Sequence, residues 1–154
     1  MEQQMEFNHG GFWLRLAAAI IDTIITQLGL TIIGVIIGIF VGIFMGAAGS
    51  PMGDIEMVAG GIGYAIGIIG QWLYFTIFEI SGWMATPGKK ILGLQVTDLN
   101  GQQIGFGRAN GRYWGKIVSA LILMIGFIMI AFTDKKQGLH DIMAGTLVIK
   151  KPSA

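Results

Sequence analysis

Two ionisable residues, Arg15 and Asp22, stand inside a long apolar run that begins at Phe12 and ends near Met45. Seven positions separate them, roughly two helical turns, so both fall on one face of one helix. A charge near the hydrocarbon centre of a bilayer costs roughly 2.5–3.5 kcal/mol on insertion scales. Residues kept there are either paired or used. A carboxylate in low dielectric favours its neutral form, and a nearby arginine favours the charged one. Such opposed influences can poise a group to exchange a proton for a cation, which is transport chemistry. Glu79, four residues before Trp83 in a second apolar run, is the third candidate. His140 and Asp141 are adjacent and complete the set. His140 can titrate near neutrality, whereas Asp141 suits the cap of a short helix.

Composition requires a membrane for these residues. Of the 154 residues, 53% are hydrophobic and 12% charged, half the charge of an average soluble domain. The chain has no cysteine, so neither a disulfide framework nor a thiolate metal site is available. With His9 and His140 as the only histidines, a histidine-rich metal site is excluded as well. No serine stands in a nucleophile motif. Gly88-Lys89 lacks the upstream glycine and following Ser/Thr of a phosphate loop. The expectation is therefore a non-enzyme without metal or cofactor and without nucleic-acid partners.

The elements that position these residues follow from hydropathy. Residues 12–45 form a first span, longer than the ~20 residues that cross ~30 Å of hydrocarbon. Residues 57–80 form a second. The intervening Gly/Ser/Pro link carries Asp54 and Glu56. Trp13 and Trp83 suit the headgroup level. Residues 81–116 hold Lys89, Lys90, Arg108, Arg112 and Lys116 against Asp98. Positive loops are cytoplasmic, so this loop and the N-terminus are expected inside. Arg108, Arg112 and Lys116 recur every fourth residue, a basic stripe suited to anionic headgroups, with Lys89 and Lys90 beside it. Residues 117–132 form a third apolar segment, short for a span. The lysines of residues 133–154 also point to the cytoplasm, so the segment is read as re-entrant and broken near Gly126, with a true span as the alternative. The whole is one domain, residues 1–154.

A small cytoplasmic β-element is expected within this all-α membrane protein. Ile91–Thr97 alternates partly, Asn100-Gly101 is a hairpin turn signal, and Gln102–Ile104 is a candidate return strand. Thr146–Lys150 is a β-branched stretch able to pair with 91–97. The same topology makes Arg15 and Glu79 the expected ion pair. Asp22, about 10 Å deeper along the axis, is left without an evident partner.

Gly34, Gly38, Gly42 and Gly46 recur every fourth residue, and Gly63 and Gly67 repeat the spacing in the second run. Small residues so placed allow close approach of helix backbones. Packing within the hairpin and a seam between copies of the chain are the two readings.

Three stretches together resemble the RDD family of membrane proteins. They are Phe12–Asp22 (FWLRLAAAIID), Thr86–Asp98 (TPGKKILGLQVTD) with Asn100-Gly101, and Gln137–Val148 (QGLHDIMAGTLV). The resemblance covers nearly the whole chain. It implies Arg15 as the family's arginine and Asp22 and Asp141 as its two aspartates, with Glu79 at a position where members carry a glutamate. It also implies a bacterial inner-membrane location. Some members have been proposed to exchange cations for protons. Two functions follow as alternatives: an oligomeric cation/proton or small-solute transporter, and a membrane scaffold that binds protein partners through its cytoplasmic loop and tail.

Overall fold

The computed structural model describes residues 7–122 and 124–151. In chain order it contains α1 (Phe12–Ala47), α2 (Met52–Ile80), α3 (Pro87–Ile91), β1 (Leu94–Asp98), α4 (Phe106–Leu121), α5 (Ile125–Phe132), α6 (Leu139–Ala144) and β2 (Thr146–Lys150). The chain divides into two compact units. One comprises residues 1–22 and 74–154, the other residues 23–73.

Unit 23–73 holds the greater part of α1 and α2, apolar helices of 36 and 29 residues without an internal proline. Both are long and apolar enough to cross a membrane. The second begins earlier than its hydropathy suggests, at Met52. Pro51 fixes the entry to the helix, and Asp54 in the first turn favours the positive end of its dipole. Most apolar side chains here, such as Ile32, Ile36, Phe40 and Phe44, are exposed. That is unfavourable in water and favourable in hydrocarbon.

The other unit carries a small core of Ala18, Leu94, Val96, Ile104, Ala109 and Val148, with Leu14, Ile80 and Leu92 packed against it. The expected β-element is present. Strands β1 and β2 pair antiparallel, with Val96 opposite Val148. The return strand at Gln102–Ile104 is reduced to a single bridge between Thr97 and Gln103. The Asp98 carboxylate accepts from the Asn100 and Gln102 N–H groups and fixes the turn instead. Residues 8–10 supply an edge that hydropathy does not reveal. Gly10 donates to the Val148 carbonyl and Lys150 donates to that of Asn8. A Cβ at Gly10 would lie 2.8 Å from a Leu94 methyl and 3.2 Å from a Val148 methyl, so the glycine lets this edge pack close to the sheet.

Helix α4 is amphipathic in the inverted sense. It buries Ala109, Arg112, Gly115 and Ser119 and exposes Phe106, Trp114, Ile117, Val118 and Leu121. Polar inside and apolar outside is the arrangement a bilayer rewards. Helices α4 and α5 are bent by 102° relative to one another. The break comes before Ile125, near Gly126 as expected, but Met124 and not the glycine takes the left-handed conformation. Gly126 lies within α5 instead, where a Cβ would come 2.7 Å from Ser119, so it serves close packing of α5 on α4.

Candidate functional site: a buried charge cluster

Arg15 does not pair with Glu79. Its Nη1 donates to Asp141 Oδ2 at 2.5 Å, because the first turn of α6 presents Asp141 to the start of α1. Asp141 is fully buried and occupies the third position of α6, where Oδ2 also accepts the Gly138 N–H at 3.0 Å. It thus caps α6 from its third position, two residues inside a helix expected to start at Asp141. Arg112 Nη2 from α4 lies 3.2 Å from the other oxygen. Burial alone would raise the Asp141 pKa, but Arg112 and Arg15 outweigh it and hold the carboxyl well below the usual range.

Glu79 takes three other cations. Its Oε1 accepts from Lys89 Nζ at 2.5 Å and lies 3.9 Å from Lys116 Nζ. Its Oε2 lies 3.7 Å from Arg112 Nε. Arg112 therefore stands between the two carboxylates. Burial pushes Lys89 below the ordinary lysine value while Glu79 opposes the change. Lys89, Arg112 and Lys116, expected along the headgroups, turn their charges toward buried carboxylates, with the Lys116 side chain still 23% exposed. Attraction between charges is screened less out of water than at the surface, and pairing offsets the cost of desolvating them. Lys90 and Arg108 remain exposed. Lys90 Nζ lies over the Trp83 ring at 3.4 Å, and Arg108 pairs with Asp98 at 3.4 Å.

Asp22 is not without partners. One oxygen accepts from Tyr74 Oη at 2.8 Å and from the Gly88 N–H at 2.7 Å. The other accepts from Thr86 Oγ1 at 2.5 Å. Thr86 is the N-cap of α3, so Asp22 acts as the acidic group at that helix start, supplied from a distant segment. Pro87 fixes the first helical residue. Gly88 allows the approach, for a Cβ there would meet the Asp22 carboxylate at 2.9 Å and the Ala18 carbonyl oxygen as well.

His140 is buried against Gly115, where a Cβ would lie 3.2 Å from the His140 Cα. Its Nδ1 is 3.3 Å from Ser119 Oγ and its Nε2 is 3.5 Å from Asp141 Oδ1. Ser, His and Asp thus stand in relay order. Yet Ser119 donates to the Gly115 carbonyl of its own helix, and all three side chains are sealed from solvent. A nucleophile needs an open face and a free proton path to its base, so the trio packs α6 on α4. Desolvation lowers the His140 pKa to about 3, with Arg112, Lys116 and Arg15 assisting against Asp141, and the ring is neutral.

The glycine ladder does not pack within the described residues. A Cβ at Gly34, Gly38, Gly42, Gly46, Gly63 or Gly67 would meet nothing within 4 Å. In unit 23–73 the close approach falls at Gly70, against the Leu30 side chain. No group of three His, Asp or Glu side chains arranged for a metal ion occurs among the described residues.

The residues that sequence patterns left unassigned are Tyr74, Thr86, Gly88 and Ser119. One signal was present. Ala109, Arg112, Gly115 and Ser119 recur at helical spacing within an otherwise apolar-faced segment, which marks a small and polar packing face.

A chain with two bilayer-length apolar helices and a buried cluster of arginine, aspartate and glutamate belongs to a defined class of membrane-type proteins. The profile of the RDD family matches residues 9–145, and the chain is a member of that family. YxaI of Bacillus subtilis, an uncharacterised protein, is 39% identical over 147 residues, covering 92% of this chain and 97% of the relative. An uncharacterised protein of Haemophilus influenzae is 31% identical over 108 residues, covering 64% and 69% of the two chains. No solved structure matches.

Proposed function

We propose that the protein is a membrane-anchored scaffold or accessory subunit of the bacterial inner membrane, with the N-terminus and the β-element in the cytoplasm. One observation carries the reading: Asp22 is sealed from solvent and held by three donors, Tyr74, Thr86 and the Gly88 N–H. A carrier carboxylate must open to water and release its donors in each cycle. This one serves as a structural cap. The pairing supports the same reading, because Glu79 and Asp141 are engaged by the protein's own cations Arg15, Lys89 and Arg112 and are not left for a mobile one. Partners would be other membrane proteins and further copies of the chain, for which the open glycine ladder offers a close-packing face.

Proteoliposome flux under an imposed pH gradient tests the proposal. Wild type and Asp22→Asn are expected to match empty liposomes for sodium, potassium and proton movement. A saturable flux in wild type that Asp22→Asn abolishes, with the variant still folded, returns the protein to the transporter class. In-membrane cross-linking from Gln95, half-buried in β1, is expected to give discrete adducts with other proteins.

A further inference from the structure

The cluster's charges are matched, but its hydrogen bonds are not. Arg15, Lys89 and Arg112 face Glu79, Asp141 and, held by its own donors, Asp22. Burial lowers the Lys116 pKa to about 7, and neutral His140 adds nothing to either side. Arg15 donates through Nη1, while its Nε and Nη2 have no acceptor. On Arg112, Nε and Nη1 have none. Both guanidinium groups are more than nine-tenths buried. A guanidinium offers five N–H donors, and leaving buried donors unsatisfied is costly. The two groups meet at Asp141, Nη1 of one on Oδ2 and Nη2 of the other near Oδ1. The two groups thus flank one carboxylate, whose Oδ1 itself has no hydrogen bond, and Arg112 Nε faces Glu79 Oε2 at 3.7 Å. Lys116 is the cluster's most accessible member, its side chain 23% exposed, and it marks the side open to approach.

We propose that the cluster binds a phosphate-class oxyanion through Arg15 and Arg112, with Lys116 at the entrance. Unsatisfied donors on two neighbouring guanidinium groups suit a tetrahedral oxyanion, which accepts on each oxygen. A monatomic anion such as chloride offers no separated oxygens for paired N–H groups. Lys89 is not part of the proposed site, because Glu79 holds it at 2.5 Å. The same chemistry is offered by inorganic phosphate and by the headgroup of an anionic lipid. The proposal is independent of whether the protein scaffolds or transports.

The test is thermal unfolding of the full chain in a phosphate-free detergent. Inorganic phosphate in the low-millimolar range is expected to raise Tm along a saturating curve, as a ligand of the folded state does. Chloride at matched ionic strength is expected not to. Lys116→Gln is expected to shift the midpoint of that curve by about tenfold, the loss of one charge-assisted contact. Lys116→Arg is expected to retain binding, and it replaces Lys116→Gln as reference if the glutamine variant folds poorly. Nanodiscs separate the sources. If phosphatidylglycerol in place of phosphatidylcholine stabilises wild type and removes the effect of added phosphate, the ligand is a lipid headgroup. Saturation by free phosphate irrespective of the lipid assigns a soluble anion. No saturable shift from either source overturns the proposal. So does a phosphate shift of equal midpoint in wild type and in both Lys116 and Arg112→Gln variants, which is a general salt effect.

Discussion

At the scale of single residues, the cost of the buried charges is met by pairing, and removal of one partner should expose it. Asp141 neutralises Arg15 and Arg112 and caps α6. Asp141→Ala leaves Arg15 buried without a carboxylate and Arg112 with Glu79 alone, a change that typically costs about 3–5 kcal/mol. Chemical unfolding of the variant in detergent is expected to show a loss of that order. Asp141→Asn, which retains an acceptor for the Gly138 N–H, is expected to lose less. His140 provides a pH signature. Its folded pKa is lowered to about 3 by burial, while the unfolded value stays near 6.5. Between these values the unfolded chain binds more protons than the folded one, so stability falls as pH drops from about 6.5 toward 3. The slope from this one group cannot exceed about 1.4 kcal/mol per pH unit. Asp141, held below the carboxylate range, loses its contribution only at lower pH, below about 4. His140→Gln is therefore expected to flatten the upper part of the acid limb and leave the lower part. An unchanged limb between pH 6.5 and 4 rules out His140 as its source.

At the scale of elements, the short helix α3 is held mainly from outside. Five residues cannot sustain a helix by propensity. Its first turn is fixed by Pro87, by Thr86 and by Asp22 reaching in from α1. Gly88→Ala places a methyl group against the Asp22 carboxylate and the Ala18 backbone. Overpacking of this kind costs about 1–3 kcal/mol. The variant is expected to melt earlier and to lose hydrogen-exchange protection at Gly88 and in the following turn. Unchanged protection there removes Asp22 from its assigned role. The hydrophobic runs made α1, α2 and the β1–β2 pair legible in the sequence, because periodicity and length record burial directly. Partner choice among charges was not legible in the same way. Arg15 and Glu79 lie at similar depth by residue count, but α6 brings Asp141 nearer, and that docking depends on Gly115 and His140 far along the chain. Likewise the stripe at Arg108, Arg112 and Lys116 has the spacing of a surface feature. Only the fold of α4 onto α6 turns two of its members inward.

At the scale of the whole molecule, the apolar surface and the glycine ladder together specify what the chain must still contact. In hydrocarbon, exposed apolar side chains are satisfied by lipid, and association between helices depends on close packing of small residues. Gly34, Gly38, Gly42 and Gly46 repeat on one face of α1 and touch no other part of the described chain. Larger side chains at these positions should therefore cost the fold little. Gly38→Leu replaces a poor helix former by a good one, which favours the helix by up to about 1 kcal/mol in an open position. Unfolding of the purified variant is expected to match or exceed wild type. The same branched side chain holds apart any backbone that packs on this face. Cross-linking between copies in native membranes is accordingly expected to fall sharply for Gly38→Leu and less for Gly38→Ala. A variant that loses stability in dilute detergent places the ladder inside the folded chain. One that keeps both stability and cross-linking assigns the face to lipid alone.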